Sequence, residues 1–318
     1  MTQLIFAIAI TITSLAGFSQ TRYLESIIDS VKIDTYTYAF KDGNELKLDI
    51  YLPAFDSEDN KPLLLFVHGG GFSGGSRGGE TNHRFCSSMA ERGYVAVSMS
   101  YRLTRKGTET GFGCDCPALD KLNTFEAAVE DIQDATFFLI DNRQEFGIDP
   151  HKIILMGSSA GAEAVLNAAY KPENCYDLPS GPVSYAGVIS MAGAIHDTSL
   201  IYDESAIPSM FFHGTCDNLV PYATAPHHYC DKGKPGYLIL YGAKTISEKL
   251  EELEVPYWLY TVCGGGHEVA GTPMYKYFDA ITEFCYEYVV LNKGINKHTI
   301  IPIGQTKCDY AYYKYCEE

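Results

Sequence analysis

The chain has 318 residues, of which 46% are hydrophobic and 20% charged. These are ordinary globular proportions that exclude a disordered, collagen-like or coiled-coil protein. Lys and Arg number 24 and Asp and Glu 40, a net charge of −16 that repels phosphate backbones and anionic membrane surfaces and sets nucleic acid aside as a partner.

Residues 1–20 read MTQLIFAIAITITSLAGFSQ. The uncharged run from Leu4 to Phe18 is short for a bilayer span and suits the core of a secretory leader. Gly17 and Ser19 supply small residues ahead of a cut before Gln20, although only the amino terminus is positive in front of the run. A buried first strand or helix is the alternative. The expected organisation is a leader over 1–19, one domain over 20–292 and a tail over 293–318 packed on that domain, in a secreted or periplasmic protein. No Cys precedes Cys86, and no later run is long and apolar enough for a span, so no stable membrane anchor is expected.

Thr35–Phe40 and Glu45–Leu52 read as an antiparallel pair joined at Lys41-Asp42-Gly43-Asn44, a strong turn sequence. Apolar runs of the doubly buried, parallel type follow at Pro62–Val67, Tyr94–Ser100, Lys152–Met156, Ala186–Met191, Ser209–His213 and Pro256–Val262. Helical patterns lie between them at about 80–92, 123–146, 160–170, 244–253 and 273–292. In the second of these, Phe125, Ala128, Ile132, Ala135, Phe138 and Leu139 recur at helical spacing, as in a helix packed on a sheet. Strands alternating with helices predict a wound, mostly parallel sheet of eight strands in a single domain. No repeat, low-complexity tract or linker interrupts it.

Ten cysteines (86, 114, 116, 175, 216, 230, 263, 285, 308 and 316) in an exported chain read as disulfides whose connectivity the sequence leaves open. A bridge between Cys216 and Cys263 is one candidate, with Cys230 competing for either. A zinc site from Cys114, Cys116 and His83 lacks a supporting second motif, and neither metal nor cofactor is expected.

The strongest chemical signal is the β-branched strand Lys152–Met156 running into Gly157-Ser158-Ser159-Ala160-Gly161 and then a helix-prone Ala-rich stretch. A sharp strand-to-helix turn of this kind lifts the central serine free at the carboxyl edge of a sheet, which makes Ser159 the candidate nucleophile. Ser158 points elsewhere. A second signal, His68-Gly69-Gly70-Gly71, follows another strand. Its bare backbone N–H groups can approach a developing oxyanion.

Acyl transfer needs a base to take the serine proton and a carboxylate to orient that base. His267 follows three glycines just past the strand Pro256–Val262, where its ring can swing over the sheet edge. His213 reads as structural, His68 as a brace for its turn, and His227 and His228 as solvated. Asp217 lies in the loop after Ser209–His213, at the same edge as Ser159 and His267. Asp197 and Asp203 are rivals that read as surface acids. The loop Thr104–Leu122 reads equally as an overhang on the site and as a disulfide-pinned surface loop.

Taken together, His68–Gly71, Gly157–Gly161, His213-Gly-Thr-Cys-Asp217 with Val220-Pro221, and Gly266-His267 resemble the carboxylesterases of the α/β-hydrolase superfamily, as do the order Ser159…Asp217…His267 and the strings Tyr101–Leu103 and Gly147–Pro150. The resemblance spans about 36–292 and includes the hormone-sensitive-lipase-like and the feruloyl/acetyl-xylan esterases. It implies catalysis by Ser159, Asp217 and His267, an oxyanion hole from the N–H groups of Gly70, Gly71 and Ala160, no cofactor, and a small-molecule or polysaccharide ester as substrate. Ala162 stands where many hormone-sensitive-lipase-like members have Gly, and no cap helices precede the first strands. Both departures, with the cysteine content, favour the secreted feruloyl/acetyl-xylan type. A serine exopeptidase and a non-catalytic binding protein on a hydrolase scaffold are the competing readings.

Overall fold

The structure, a computed structural model, describes residues 22–171, 184–302, Cys308 and Cys316, together with the backbone of 176–178 and 181–183. The leader expected over 1–19 lies outside the described residues. Nine strands form the central sheet: β1 (Val31–Lys41), β2 (Asn44–Pro53), β3 (Lys61–Val67), β4 (Val95–Met99), β5 (Ile148–Ser158), β6 (Gly187–Met191), β7 (Ser209–Gly214), β8 (Tyr257–Cys263) and β9 (Lys297–Pro302). Their order is β1-β2-β4-β3-β5-β6-β7-β8-β9. β1 and β2 form the expected hairpin, closed by Asp42 and Gly43, both at positive φ, and β2 runs antiparallel to β4. Every later pairing is parallel.

The sheet is buried on both faces because its central strands are largely apolar. Leu63, Leu65 and Val67 face one core cluster with Ile153 and Leu155, while Leu64 and Phe66 face the other with Ile154 and Met156. Helices cover both sides. α1 (Glu80–Ala90) and α5 (Phe278–Phe284) supply Phe85, Met89, Ile281 and Phe284 to the second cluster. α2 (Ala118–Asp141), α3 (Ala160–Ala169) and α4 (Ala243–Glu252) close the first. This is an α/β-hydrolase fold.

Three departures from expectation have local causes. α2 starts five residues early, directly after Pro117, so part of the long connection is helix. The last helical stretch is broken into Pro273–Lys276, α5 and a π-helical turn at Cys285–Val290. The sheet has nine strands rather than eight, because Lys297–Pro302 pairs with β8 from Trp258↔Lys297 to Cys263↔Pro302. Its residues alternate between half-buried and exposed, a one-sided edge pattern that reads as tail.

Among the described residues three disulfides are present: Cys114–Cys230, Cys216–Cys308 and Cys263–Cys316. The candidate bridge between Cys216 and Cys263 is thereby overturned, since each pairs with a C-terminal cysteine instead. Cys114, held in a bridge, cannot serve zinc, and no group of metal-ligating side chains occurs among the described residues. Cys86, Cys116 and Cys285 are buried thiols.

The bridge Cys216–Cys308 closes a segment of 92 residues. Replacing both cysteines by Ser should lower the unfolding free energy by about 2–4 kcal/mol. Urea denaturation of the oxidised variant and parent would show this as a lower extrapolated unfolding free energy and midpoint, with a steeper slope because the freed chain exposes more surface on unfolding.

Candidate active site

β5 delivers Ser159 through a backbone turn that few side-chain-bearing residues adopt, with φ 51° and ψ −121°. Such a conformation costs of order 1–3 kcal/mol and persists only where its surroundings enforce it. The Ser159 N–H donates to the Met191 carbonyl at 2.9 Å, and the Ser159 carbonyl accepts from the Glu163 N–H at 2.9 Å. A Cβ on Gly157 would lie 2.2 Å from the Gly161 carbonyl oxygen, and one on Gly161 would lie 2.1 Å from the Val67 carbonyl oxygen. The two glycines that bracket the serine are therefore required by backbone packing.

Ser159 Oγ stands 2.7 Å from His267 Nε2, and His267 Nδ1 stands 2.8 Å from Asp217 Oδ2. The Asp217 carboxylate is wholly buried. Its Oδ1 accepts from the N–H groups of Leu219 at 2.9 Å and Val220 at 3.0 Å. Burial alone would raise the Asp217 pKa, but hydrogen bonds from His213 and His267 outweigh it and hold the carboxyl well below the usual carboxylate range. An ionised Asp217 fixes the His267 proton on Nδ1, which leaves Nε2 free to accept from the serine hydroxyl.

The other candidates have different duties. His213 Nε2 donates to the Val220 carbonyl at 3.1 Å and lies 3.5 Å from Asp217 Oδ2, so it braces the acid loop from below. His68 Nδ1 donates to the Gly69 carbonyl at 2.7 Å. Ser158 donates to the Ala270 carbonyl at 2.7 Å, away from the nucleophile position. Asp197 accepts from the Ser199 N–H, and Asp203 is exposed.

Gly70, Gly71 and Ala160 line one cavity with Ser159 and His267, a space of about 600 Å³. Gly70 and Gly71 adopt φ 126° and 59°, and a Cβ on Gly70 would strike the Gly74 carbonyl oxygen at 2.3 Å. Ala160 opens α3, so its N–H has no partner within the helix. The dipole of α3 also favours negative charge at this end.

The connection holding Phe112 is both things the sequence leaves open. Phe112 and Gly113 line the cavity, and Cys114 is bridged to Cys230. Phe112 packs against Phe72, Phe125 and His227 at ring-centre distances of 4.8, 5.6 and 5.1 Å. The reading of His227 and His228 as solvated is corrected here. His227 is 1% exposed, and both rings face the cavity, because the bridge through Cys230 draws their segment over the site.

Sequence reasoning missed Glu163. It sits one turn after Ser159 on α3, is 2% exposed and lines the same cavity. Burial pushes its pKa well above the usual carboxyl range, with Lys121 opposing and Asp217 adding to the shift. The available signal was a lone acid in the otherwise apolar run Ala160–Leu166.

Residues 48–195 match the BD-FAE family. Among curated proteins, the fumonisin B1 esterase of Sphingopyxis macrogoltabida is 33% identical over 130 residues, 38% of this chain and 22% of that protein. The isoprenylcysteine alpha-carbonyl methylesterase of Arabidopsis thaliana is 27% identical over 162 residues, 51% and 33% of the respective chains. The matched stretch thus spans a third or less of these relatives. Among solved structures, the apo form of Thermogutta terrifontis esterase 2 superposes with a TM-score of 0.56 at 20% identity, covering 85% of this chain and 98% of that one. The structural likeness shows an α/β-hydrolase fold, and within it part of the chain is similar to the BD-FAE family and to esterases.

Gly161→Ala should destabilise the fold by about 1–3 kcal/mol through the clash with Val67, measurable by denaturant unfolding, and should lower turnover by displacing Ser159. Glu163 titrates in the opposite sense to Asp217. Its folded pKa lies above the unfolded value of about 4.3, so the folded state binds the extra proton and stability falls as pH rises above that value. Glu163→Gln should therefore gain stability relative to the parent between pH 4.5 and 7.5. Urea curves at the two pH values check this, and an unchanged difference would show that the acid is not held neutral.

Proposed function

We propose that the chain is a secreted serine carboxylesterase that hydrolyses short-chain acyl esters or feruloyl and acetyl esters of polysaccharides. The observation that carries the reading is the unbroken hydrogen-bonded line from Ser159 through His267 to Asp217, opening into a cavity edged by Gly70, Gly71 and Ala160. The three disulfides support an oxidising compartment, as does the leader-like sequence over 1–19. No described helix is long and apolar enough to cross a membrane. Phe112, Leu219 and Val220 give the cavity apolar walls suited to an acyl or aryl group. Thermogutta terrifontis esterase 2 has been solved with propionate bound, which is in keeping with a small acyl group in the substrate.

In this reading the Ser159 oxygen attacks the ester carbonyl carbon as His267 Nε2 takes the hydroxyl proton. The carbonyl oxygen becomes an oxyanion that accepts hydrogen bonds from the N–H groups of Gly70, Gly71 and Ala160. One such donor typically lowers the barrier by ~2.7–4 kcal/mol. The C–O bond to the alcohol breaks, and the alcohol leaves with the proton from His267. Water then attacks the acyl-enzyme, giving its proton to His267, and the second tetrahedral species releases the acid and restores Ser159. Asp217 stays ionised throughout, holding the ring orientation and stabilising the imidazolium.

Initial rates on p-nitrophenyl esters from acetate to palmitate, with methyl ferulate alongside, test this. Activity on acetate or ferulate that disappears in Ser159→Ala is the expected result. Asp217→Asn should lower kcat by about 10⁴-fold with little change in KM. No activity in oxidised parent, or equal rates in Ser159→Ala, would overturn the proposal.

A further inference from the structure

We infer that Glu163 and His227 form a hydroxyl-binding subsite of the cavity beside Ser159, so that the preferred ester carries a hydroxyl within a few bonds of its scissile carbonyl. The inference rests on the esterase reading above and names a feature of the substrate that the reading leaves open.

The placement is set by α3. Glu163 lies four residues beyond Ser159, and its N–H donates to the Ser159 carbonyl at 2.9 Å, which sets it one turn into the helix that follows the serine. Both line the cavity, as does His227 from the opposite wall. Glu163 Oε1 is 3.5 Å from His227 Nε2, too long for a good hydrogen bond. Among the described residues neither Glu163 Oε1 nor His227 Nδ1 has any hydrogen-bond partner, although both atoms are buried. Buried polar atoms left unpaired are rare and call for an explanation. Here both residues line the cavity that also holds Ser159.

The chemistry of the pair selects the ligand. Burial raises the Glu163 pKa and lowers that of His227, which favours the uncharged carboxylic acid and the uncharged imidazole. Each can donate one hydrogen bond and accept another. A hydroxyl has the same dual capacity and fits between them. An anionic group would face the charge of Asp217. The nearby cation, Lys121, is itself buried and donates to the Gly236 carbonyl at 2.8 Å. An ammonium group would find no ionised partner at the pair. Phe112 packs on the His227 ring, and Leu219 and Val220 complete the walls, so the hydroxyl belongs on an otherwise apolar or ring-bearing group.

The test compares matched esters that differ by hydroxyl groups alone. Ethyl lactate against ethyl propionate places the hydroxyl on the acyl side, and glycerol 1-acetate against propyl acetate places it on the alcohol side. The expected result is a kcat/KM ratio of at least about tenfold in favour of the hydroxylated member of one pair, since a site built to bind a hydroxyl rejects an analogue that lacks it. Glu163→Leu and His227→Leu should each bring that ratio toward one, while Glu163→Gln, which keeps a donor and an acceptor, should retain most of it. Ratios near one for both pairs in the parent would overturn the subsite while leaving the esterase reading intact. A Glu163→Leu variant that lowers both members of a pair equally would assign Glu163 a structural role and overturn the subsite as well. Absence of turnover on every ester would overturn both readings together.

Discussion

The contact between Gly161 and the Val67 carbonyl fixes the geometry at the carboxyl edge of the sheet. Because no Cβ intervenes, α3 starts hard against the end of β3 and the chain must turn through the strained Ser159 conformation to enter it. The same close approach sets Ala160 and the glycine loop after β3 around one space. The strain is carried by a sheet whose central strands are buried on both faces, which leaves the turn little room to relax. Stability in the core and exposure of one serine oxygen are thus two results of the same packing.

Asp217 and His267 are held by different means. Asp217 and His267 sit in loops after neighbouring parallel strands, β7 and β8, and loops alone would not keep a 2.8 Å contact. Asp217 is anchored by two backbone N–H groups and by His213 below it. The two loops also meet directly, through the Cys216 N–H and the Gly265 carbonyl at 2.8 Å, and each is bridged to a C-terminal cysteine. On the other side of the cavity, Cys114–Cys230 joins the Phe112 connection to the His227 segment, so walls from distant parts of the chain hold a common shape.

How much of this was legible follows from the range of the interactions involved. Ser159, Asp217 and His267 each lie just past an apolar strand, and parallel strands place such positions at one edge, so short stretches of sequence sufficed to propose them. The glycine spacing around Ser159 is likewise a local requirement. Glu163 was missed and His227 misread because their meeting depends on which face of α3 looks into the cavity and on a bridge between residues 116 apart. The partners of the C-terminal cysteines depend on loop placement that no spacing encodes. The ninth strand is hidden by its polar residues, since an edge strand packed on one side needs no continuous apolar run.

The bridges to Cys308 and Cys316 carry a consequence for biosynthesis. A ribosome makes Cys216 and Cys263 long before the cysteines they pair with, and the two loops that bear them are neighbours once β7 and β8 have joined. Until the last stretch of chain emerges, both thiols are open to premature pairing with each other or with Cys230. Correct maturation therefore waits on Cys308 and Cys316 and calls for thiol exchange able to undo such a mistake. Recombinant material made in a reducing cytoplasm would acquire its sheet but not the covalent closure of its acid and base loops.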